Sequence, residues 1–366
     1  MSKSIAAPSA VLEIRRWMEA RSLAAAYVTN PVSIAYLTGF LANPHERLMA
    51  LVLRPRDATL IVPAIEREKA EKNAAGVTVV GWRDGEDPYA IVDDLVHGSA
   101  EIAVEKEHLT LHSAEVITSR TGASELVDLG RAIRGLRLIK SEAEIEKLAR
   151  AAELTDRATY EVLTPSSLRP GATELDIATL IQSAIARFGG SLSFPSLVQS
   201  GPNSALPHLE PSSRKLAPGD FVLLDFGAAV DGYKADTTRM AVIGKPSDKQ
   251  REIHQVVLEA HDAAVAAVRP GVTTGDVDTA ARRVIEAAGY GPNFFHRIGH
   301  GLGLEAHEDP SLDPGSQTVL QAGMVFTIEP GVYVEGFGGV RIEDDVVVTE
   351  TGCRLLTRSD RALKVI

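Results

Sequence analysis

Two short segments of this sequence are near copies of each other. Residues 169–177 and 269–277 share Arg-Pro-Gly followed by a threonine and an aspartate at the same spacing, and they lie 100 residues apart. Each copy leads from a Pro-Gly break into a helical pattern that ends at a glycine, Gly189 or Gly289. Two copies at this distance are too few and too widely spaced for a solenoid. We therefore expect one domain built from two related halves; the alternative is that ordinary helix-start chemistry occurs twice by chance.

The first third of the chain carries a different pattern, in which helical spacing over residues 9–21 and 88–97 alternates with short apolar runs. The runs typical of buried strands are residues 24–28, 48–53, 59–63, 77–80 and 101–104. This alternation predicts an α/β domain of about 130 residues. A long helical pattern then begins after Ser141, which forms a capping-box signature with Glu144. We place the two domains at residues 1–134 and 135–366.

Composition excludes several classes of protein. A chain of 366 residues has room for about two domains with their own cores. Acidic residues outnumber basic ones by 49 to 38 and no basic stripe is visible, so we expect neither a nucleic acid nor an anionic membrane as partner. No apolar run approaches the roughly 20 residues of a membrane span, and the patch at residues 23–28 is too short for a signal-peptide core.

The chain has a single cysteine, Cys353. One cysteine excludes an internal disulfide framework and a zinc site built from several thiolates. Low cysteine usage is typical of proteins from a reducing compartment. We therefore expect a cytoplasmic protein.

The second half of the chain places acidic groups inside apolar strands, where an ionised carboxylate is costly unless something positive compensates it. Asp225 interrupts one such strand, an Asp-Gly turn follows at residues 231–232, and Asp236 comes next. A hairpin closing at this turn brings the two aspartates together. Two adjacent carboxylates must share a proton or bind a cation. For the hairpin alone, the alternative is that Asp225 is a cap and Asp236 pairs with Arg239.

A glycine-rich segment, residues 299–308, holds His300 and His307. Their spacing matches about two helical turns, but the glycines argue against a helix, so we expect a loop and a strand. Two histidines in such a segment, with His296 just upstream, favour metal binding or proton transfer. The alternative is that each histidine is only structural.

The last acidic segments lie near the C-terminus. Glu329 ends an apolar strand before a Pro-Gly stop. Further on, Arg341 and Glu343 share one face of a strand by the alternation of side chains, so both can face a common site. The alternative for this segment alone is an Arg–Glu pair on a solvent-facing strand.

Together these segments offer four carboxylates and one imidazole, which are Asp225, Asp236, His300, Glu329 and Glu343. A set dominated by oxygen suits harder divalent ions such as manganese or cobalt, with zinc also possible. Two divalent cations formally neutralise four carboxylates, so the count favours a dinuclear site.

These segments resemble the Xaa-Pro peptidase branch of the pita-bread metallopeptidases, which contains prolidase and aminopeptidase P. The resemblance rests on Asp225-Phe-Gly, Asp236-Thr-Thr-Arg, Gly-His300-Gly-Leu-Gly, Glu329-Pro-Gly and Arg-Ile-Glu343-Asp, in that order. Residues 30–40, Asn-Pro-Val-Ser-Ile-Ala-Tyr-Leu-Thr-Gly-Phe, likewise resemble the creatinase-type N-terminal domain of this branch. The resemblance implies an α/β creatinase-like domain followed by an α+β pita-bread catalytic domain with an internal pseudo-twofold duplication, and it implies a homodimer.

The resemblance also implies an activity, the hydrolysis of the Xaa-Pro bond at the N-terminus of short peptides, with two divalent metal ions as cofactors and manganese expected. The five residues above would be the metal ligands, and Glu329 would also accept and donate the proton. His208 and His307 would contact the peptide and help to move protons. Arg341 would hold the carboxylate ligands in place. Phe294 and Phe295 are candidates for the surroundings of the proline.

The sequence leaves the length of the substrate open. A dipeptidase needs a placed cation for the free carboxylate of the terminal proline, and an arginine is the most effective one. Several prolidases carry an arginine four residues after the second histidine, but this chain has Ser311 there. We predict that Arg47 supplies the anchor and that the protein is an Xaa-Pro dipeptidase. The alternatives are an aminopeptidase P acting on longer peptides and, from a different class, a non-catalytic pita-bread binding module.

Overall fold

The structure, a computed structural model, describes residues 8–366. The chain divides into two compact units, of which the first ends at Arg137 and the second runs from Leu138 to Ile366. The boundary that we place between residues 134 and 135 lies within the helix Gly130–Leu138, which the sequence pattern did not predict. Glycine has a low helix propensity, and two glycines weaken the signal of this short segment.

The first unit is built on one six-stranded sheet. Its strands are β1 (Ala25–Val28), β2 (Ala50–Leu53), β3 (Ala58–Pro63), β4 (Thr78–Trp82), β5 (Glu101–Val104) and β6 (Glu125–Asp128). Its helices are α1 (Pro8–Glu19), α2 (Pro31–Thr38), α3 (Arg67–Asn73), α4 (Pro88–Val96), α5 (Leu111–Thr121) and α6 (Gly130–Leu138). The predicted strands and the predicted helices α1 and α4 are confirmed, with ends shifted by one or two residues.

The sheet has the strand order β4-β3-β2-β1-β5-β6. Strand β2 is antiparallel to both of its neighbours, and the other pairs are parallel. Strands β1, β2 and β3 are buried at every residue. A strand buried on both faces has no polar face to show in its sequence, which explains why these strands are continuous apolar runs.

The second unit contains four long helices, α7 (Glu142–Val162), α8 (Glu174–Arg187), α9 (Asp248–Ala267) and α10 (Thr274–Ala287). The predicted capping box between Ser141 and Glu144 is present at the start of α7. Across the described residues of both units, no helix combines the length and the apolar character needed to cross a membrane.

The strands of the second unit form two larger sheets and two small ones. They are β7 (Ser191–Leu192), β8 (Leu197–Ser200), β9 (Phe221–Phe226), β10 (Ala228–Val230), β11 (Tyr233–Lys234), β12 (Thr237–Val242), β13 (His300–Gly301), β14 (Glu308–Ser311), β15 (Val325–Ile328), β16 (Gly331–Val334), β17 (Gly338–Arg341), β18 (Asp344–Val348), β19 (Cys353–Leu355) and β20 (Lys364–Val365). The larger sheets have the orders β20-β12-β9-β8 and β14-β13-β15-β18-β19. The small sheets are β11-β10-β7 and β16-β17.

The two near copies in the sequence fold alike. Helices α8 and α10 both have 14 residues, and each begins with a threonine cap, Thr173 or Thr273, whose capping box is closed by the aspartate three residues later. Ahead of the helices, Gly171 and Gly271 have φ values of 86° and 87°, in the left-handed region that favours glycine. The internal duplication is therefore visible in the backbone as well as in the sequence.

The second unit contains two hydrophobic cores, and β9 and β12 contribute residues to both. Residues from α7, α8, β8, β9 and β12 form one core. Residues from α9, α10, β15 and β18 belong to the other. The halves meet where Thr238 in β12 forms an isolated antiparallel bridge with Glu343, and where the Thr237 hydroxyl donates to the Glu343 carbonyl at 3.0 Å. The meeting point lies among the predicted metal ligands.

Candidate metal centre

The predicted ligands come from strands of both halves of the second unit. They lie within β9 (Asp225), just before β12 (Asp236), in β13 (His300), just after β15 (Glu329) and between β17 and β18 (Glu343). The predicted hairpin is confirmed, since β10 and β11 pair across the turn at Asp231 and Gly232, both with positive φ. Strands β9 and β12 then pair in antiparallel register, with Asp225 opposite Thr238.

The close contacts of the cluster centre on His300. Ligating atoms of Asp236, His300 and Glu343 all lie within 4.8 Å of one another, and all three residues are buried. His300 Nε2 is 4.0 Å from Asp236 Oδ2 and 3.3 Å from Glu329 Oε1. His300 Nδ1 is 3.2 Å from the carbonyl oxygen of Gly301, which can only accept a hydrogen bond. Nδ1 is therefore the donor, and the Nε2 lone pair, on the side of the carboxylates, is free to bind a cation.

The carboxylates of the cluster are held by neighbouring side chains. The Thr238 hydroxyl donates to Glu343 Oε2 at 2.6 Å, and the Thr327 hydroxyl donates to Glu329 Oε1 at 3.2 Å. Asp225 Oδ1 and Asp236 Oδ1 are buried and have no hydrogen-bond partner among the described residues. Buried carboxylate oxygens left in this way are available to a cation.

Burial and mutual repulsion act on the charges of the cluster. Burial raises the pKa of Asp236 and the pKa of Glu343, and the charges of neighbouring carboxylates raise both further. Burial also raises the pKa of Glu329 to about 7. Burial, together with the proximity of His307, lowers the pKa of His300 to about 3. Four carboxylates around one neutral imidazole ionise together only when cations compensate them, so the donor set fits divalent metal ions.

Arg341 is 3% exposed, and all three of its guanidinium nitrogens are engaged. Its Nη2 donates to Asp225 Oδ2 at 2.5 Å, its Nη1 to the Tyr333 hydroxyl at 2.8 Å, and its Nε to the Thr238 hydroxyl at 3.0 Å. Glu343 is 2% exposed. The alternative of a solvent-facing Arg–Glu pair is therefore wrong.

The alternative in which Asp236 pairs with Arg239 is also wrong. Arg239 donates to Asp344 Oδ1 at 2.7 Å and to the carbonyl oxygens of Thr238, Glu343 and Ser359. Its guanidinium therefore hydrogen-bonds groups around Glu343, and it does not pair with Asp236.

A cavity of about 480 Å³ adjoins the cluster. The candidate catalytic side chains His208, His307, Glu329 and Arg341 all line it, as does His300. One wall is apolar and is formed by Leu206, Pro207, Leu209 and Phe295. Phe294 is 2% exposed and packs in the core of the second half, so its predicted place beside the proline is wrong.

Sequence analysis missed Tyr333, which lies beside the cavity-lining residues. His296 Nδ1 is 2.7 Å from the carbonyl oxygen of Arg297, so Nδ1 is the donor and Nε2 accepts from the Tyr333 hydroxyl at 3.1 Å. Burial and the charge of Arg341 lower the pKa of His296 to about 4, which keeps the ring neutral. A Cβ at position 331 would lie 2.5 Å from the Tyr333 hydroxyl oxygen, a constraint that is visible only in the structure.

Arg47 lies in the first unit. Its Nε and Nη2 donate to the two carboxylate oxygens of Asp84 at 2.9 and 3.0 Å, and its Nη1 donates to Glu46 at 3.0 Å. In the second unit, the Ser311 hydroxyl accepts from Arg297 Nη1 at 2.7 Å. The assignment of Arg47 as carboxylate anchor stays a prediction, although its guanidinium already has carboxylate partners.

Comparison with known proteins agrees with this arrangement. The sequence matches the Creatinase/Prolidase N-terminal domain over residues 11–139 and Metallopeptidase family M24 over residues 146–350. An Xaa-Pro dipeptidase of Lactobacillus helveticus is 39% identical over 97% of this chain and 98% of its own length.

Solved structures are similar over nearly the whole chain. The Xaa-Pro dipeptidase from Bacillus anthracis superposes with a TM-score of 0.91 at 35% identity, covering 98% of this chain and 99% of its own. The X-Pro aminopeptidase from Thermotoga maritima superposes with a TM-score of 0.89 at 33% identity, covering 97% and 99%. The chain therefore belongs to metallopeptidase family M24, and it combines a creatinase/prolidase-type N-terminal domain with the pita-bread catalytic domain of that family.

Proposed function

We propose that this protein is a metal-dependent Xaa-Pro dipeptidase, which hydrolyses the bond between an N-terminal residue and a following proline. The observation that carries the proposal is the buried cluster of carboxylates and imidazole beside a cavity whose lining combines histidines with an apolar wall. The similarity to Xaa-Pro dipeptidases over the whole chain supports it. An aminopeptidase acting on longer Xaa-Pro peptides is the second candidate, because an X-Pro aminopeptidase is almost as similar in structure.

Membership of a metallopeptidase family implies divalent metal ions. We propose that Asp225, Asp236, His300, Glu329 and Glu343 hold two of them, with manganese favoured and cobalt or zinc as alternatives. Ions held there would polarise the scissile carbonyl and would make a hydroxide available at neutral pH. Retention of the full donor set argues against a non-catalytic binding module.

Glu329 is suited to proton transfer. Its carboxyl group lines the cavity that would take the peptide, so it is placed to accept and to donate a proton there. The Thr327 hydroxyl donates to Glu329 Oε1 and orients the carboxyl group. We propose that Glu329 takes the proton of the attacking water and passes it to the proline nitrogen as the bond breaks.

The other cavity-lining groups bind and orient the peptide. Burial and the charge of Arg297 lower the pKa of His307, so its ring is neutral at pH 7 and can both donate and accept. The His300 and His307 ring centroids are 4.0 Å apart, which places His307 beside the cluster. His208 also lines the cavity. We propose that His208 and His307 hydrogen-bond the peptide and that the apolar wall takes the proline ring, which has no N–H to satisfy.

The test is hydrolysis of Ala-Pro and Ala-Pro-Ala by the purified protein with added manganese, before and after chelation. We expect metal-dependent cleavage, faster on the dipeptide, and loss of activity in Glu329→Gln with metal content unchanged or reduced. Metal analysis should give about two ions per chain. Absence of Xaa-Pro cleavage at any metal loading would refute the proposal, and preference for the tripeptide would support the aminopeptidase.

Two further proposals concern the protein in the cell. We infer a homodimer from the family resemblance, and sedimentation velocity of the purified protein tests it. We also propose a cytoplasmic location, supported by the single cysteine, which fits a reducing compartment.

A further inference from the structure

Two arginines line the cavity beside the candidate metal centre, and their charges are compensated differently. Arg341 forms an ion pair with Asp225. Arg297 is half-buried, and within the described part of the chain its side chain donates to the hydroxyl of Ser311, at 2.7 Å from Nη1. A hydroxyl is neutral, so it orients the guanidinium without compensating its charge.

Arg297 has no carboxylate within ion-pair distance among the described residues, although the chain as a whole is acidic. Its charge nevertheless acts on the site, because it contributes to lowering the pKa of His300 and of His307 and also acts to lower the pKa of Glu329, which lies beyond ion-pair distance. A partly desolvated cation without an anionic partner is costly to keep in a cavity. Binding of an anionic ligand would compensate the charge and lower this free-energy cost.

We propose that Arg297, oriented by Ser311, binds the free carboxylate of the terminal proline and thereby selects dipeptides. The inference rests on the proposed function and deepens it by naming the residue that decides substrate length. The guanidinium can offer its remaining N–H donors to the carboxylate as a fork. Position 311, where several prolidases carry an arginine, is a serine in this chain, and its hydroxyl accepts from Arg297 of another segment.

Two other cations compete for this role. Arg47 must give up its two-point pair with Asp84 before its fork can bind a substrate. Lys234 contributes to lowering the pKa of His307, so it lies near the site, but it does not line the cavity. Lys234 is therefore a matched control for the effect of removing a nearby positive charge.

The experiment measures kcat and KM for Ala-Pro and for Ala-Pro-amide, which lacks the free carboxylate. We expect Arg297→Gln to raise KM for Ala-Pro on the order of tenfold to a hundredfold, the value of a charge-assisted hydrogen bond, and to leave Ala-Pro-amide within about twofold. Arg297→Lys should recover part of the loss because it keeps the charge without the fork. Lys234→Gln should leave the ratio of the two substrates unchanged.

Equal effects of Arg297→Gln on both substrates would overturn the inference, and so would a dipeptide-specific loss in Arg47→Ala. Calorimetric titration of wild type and Arg297→Gln with L-proline and L-prolinamide separates this inference from the proposed function. If no Xaa-Pro peptide is cleaved but Arg297→Gln alone weakens proline binding, the proposed function fails and the carboxylate site stands. If wild type does not bind proline more tightly than prolinamide, the carboxylate site fails. Thermal melts of each variant exclude loss of folding as the cause.

Discussion

The second unit contains a buried ion pair close to the candidate site. Lys140 Nζ lies 2.8 Å from Glu308 Oε1, and the two side chains are 1% and 7% exposed. Glu308 directly follows His307, and the backbone N–H of Lys140 donates to the carbonyl oxygen of Gly323 at 2.9 Å. The pair therefore ties the segment ahead of α7 to the strand that begins after His307.

We predict that Lys140→Met destabilises the protein by about 3–5 kcal/mol. At 2.8 Å and an effective dielectric constant of about 20, the attraction in the pair is about 6 kcal/mol, and desolvation of both ions offsets most of it. Removing only the ammonium group leaves the Glu308 carboxylate buried without that compensation, which is why the loss is large. Adding Glu308→Leu should recover much of it, because apolar replacements of a buried pair are often close to neutral.

The assay is urea unfolding followed by far-UV circular dichroism, with hydrogen exchange of peptides spanning Lys140 and Glu308. The matched control is Arg251, whose ion pair with Asp248 measures 2.5 Å with side chains 48% and 99% exposed. Arg251→Gln should cost less than about 1 kcal/mol because water screens an exposed pair. A loss below 1 kcal/mol in Lys140→Met, or a double variant as unstable as the sum of the singles, would refute this reasoning.

Three further predictions follow from the site. In metal-free protein the pKa of Glu329 is raised from 4.5 to about 7, so the free energy of unfolding should fall as pH rises between these values. Glu329→Gln should reduce this dependence of the melting temperature on pH. An unchanged dependence would contradict the raised pKa of Glu329. Gly299→Ala should prevent folding, measured as loss of soluble protein, because the added Cβ would lie 1.9 Å from the carbonyl oxygen of Thr327; near-normal stability would contradict that close approach. Arg341→Met should weaken manganese binding in calorimetric titration tenfold or more, since it frees Asp225 from its positioning partner, and unchanged affinity would remove Arg341 from that role.

Much of the fold was readable in the sequence because its signals are local. The buried strands β1 to β3 are continuous apolar runs. Each capping box of α7, α8 and α10 consists of two residues that lie three positions apart in the sequence. Helices α2, α3, α5 and α6 and strand β6 were not predicted; α6 contains two glycines, and β6 has only four residues, of which the first is exposed.

The candidate metal ligands could be predicted because their signal is also local. An acidic residue inside an apolar strand can be recognised from a few neighbouring residues of the sequence. Tyr333 and Arg297 could not be found in this way. The role of Tyr333 depends on Arg341 and His296, which approach it from other segments. The role proposed for Arg297 depends on its having no carboxylate partner among the described residues, and that can be seen only in the folded protein.

The sequence by itself determined the duplication, the order of strands and helices, and the residue types of the donor set. Each of these features depends on residues that are close together in the chain or repeat at a fixed spacing. Only the tertiary structure decided which charges are compensated. Arg341 is paired with Asp225, 116 positions away in the chain, whereas Arg297 faces the cavity with a neutral serine as its partner. The physical reason is that the cost of a buried charge depends on every group packed around it, and packing brings together residues that the chain keeps far apart.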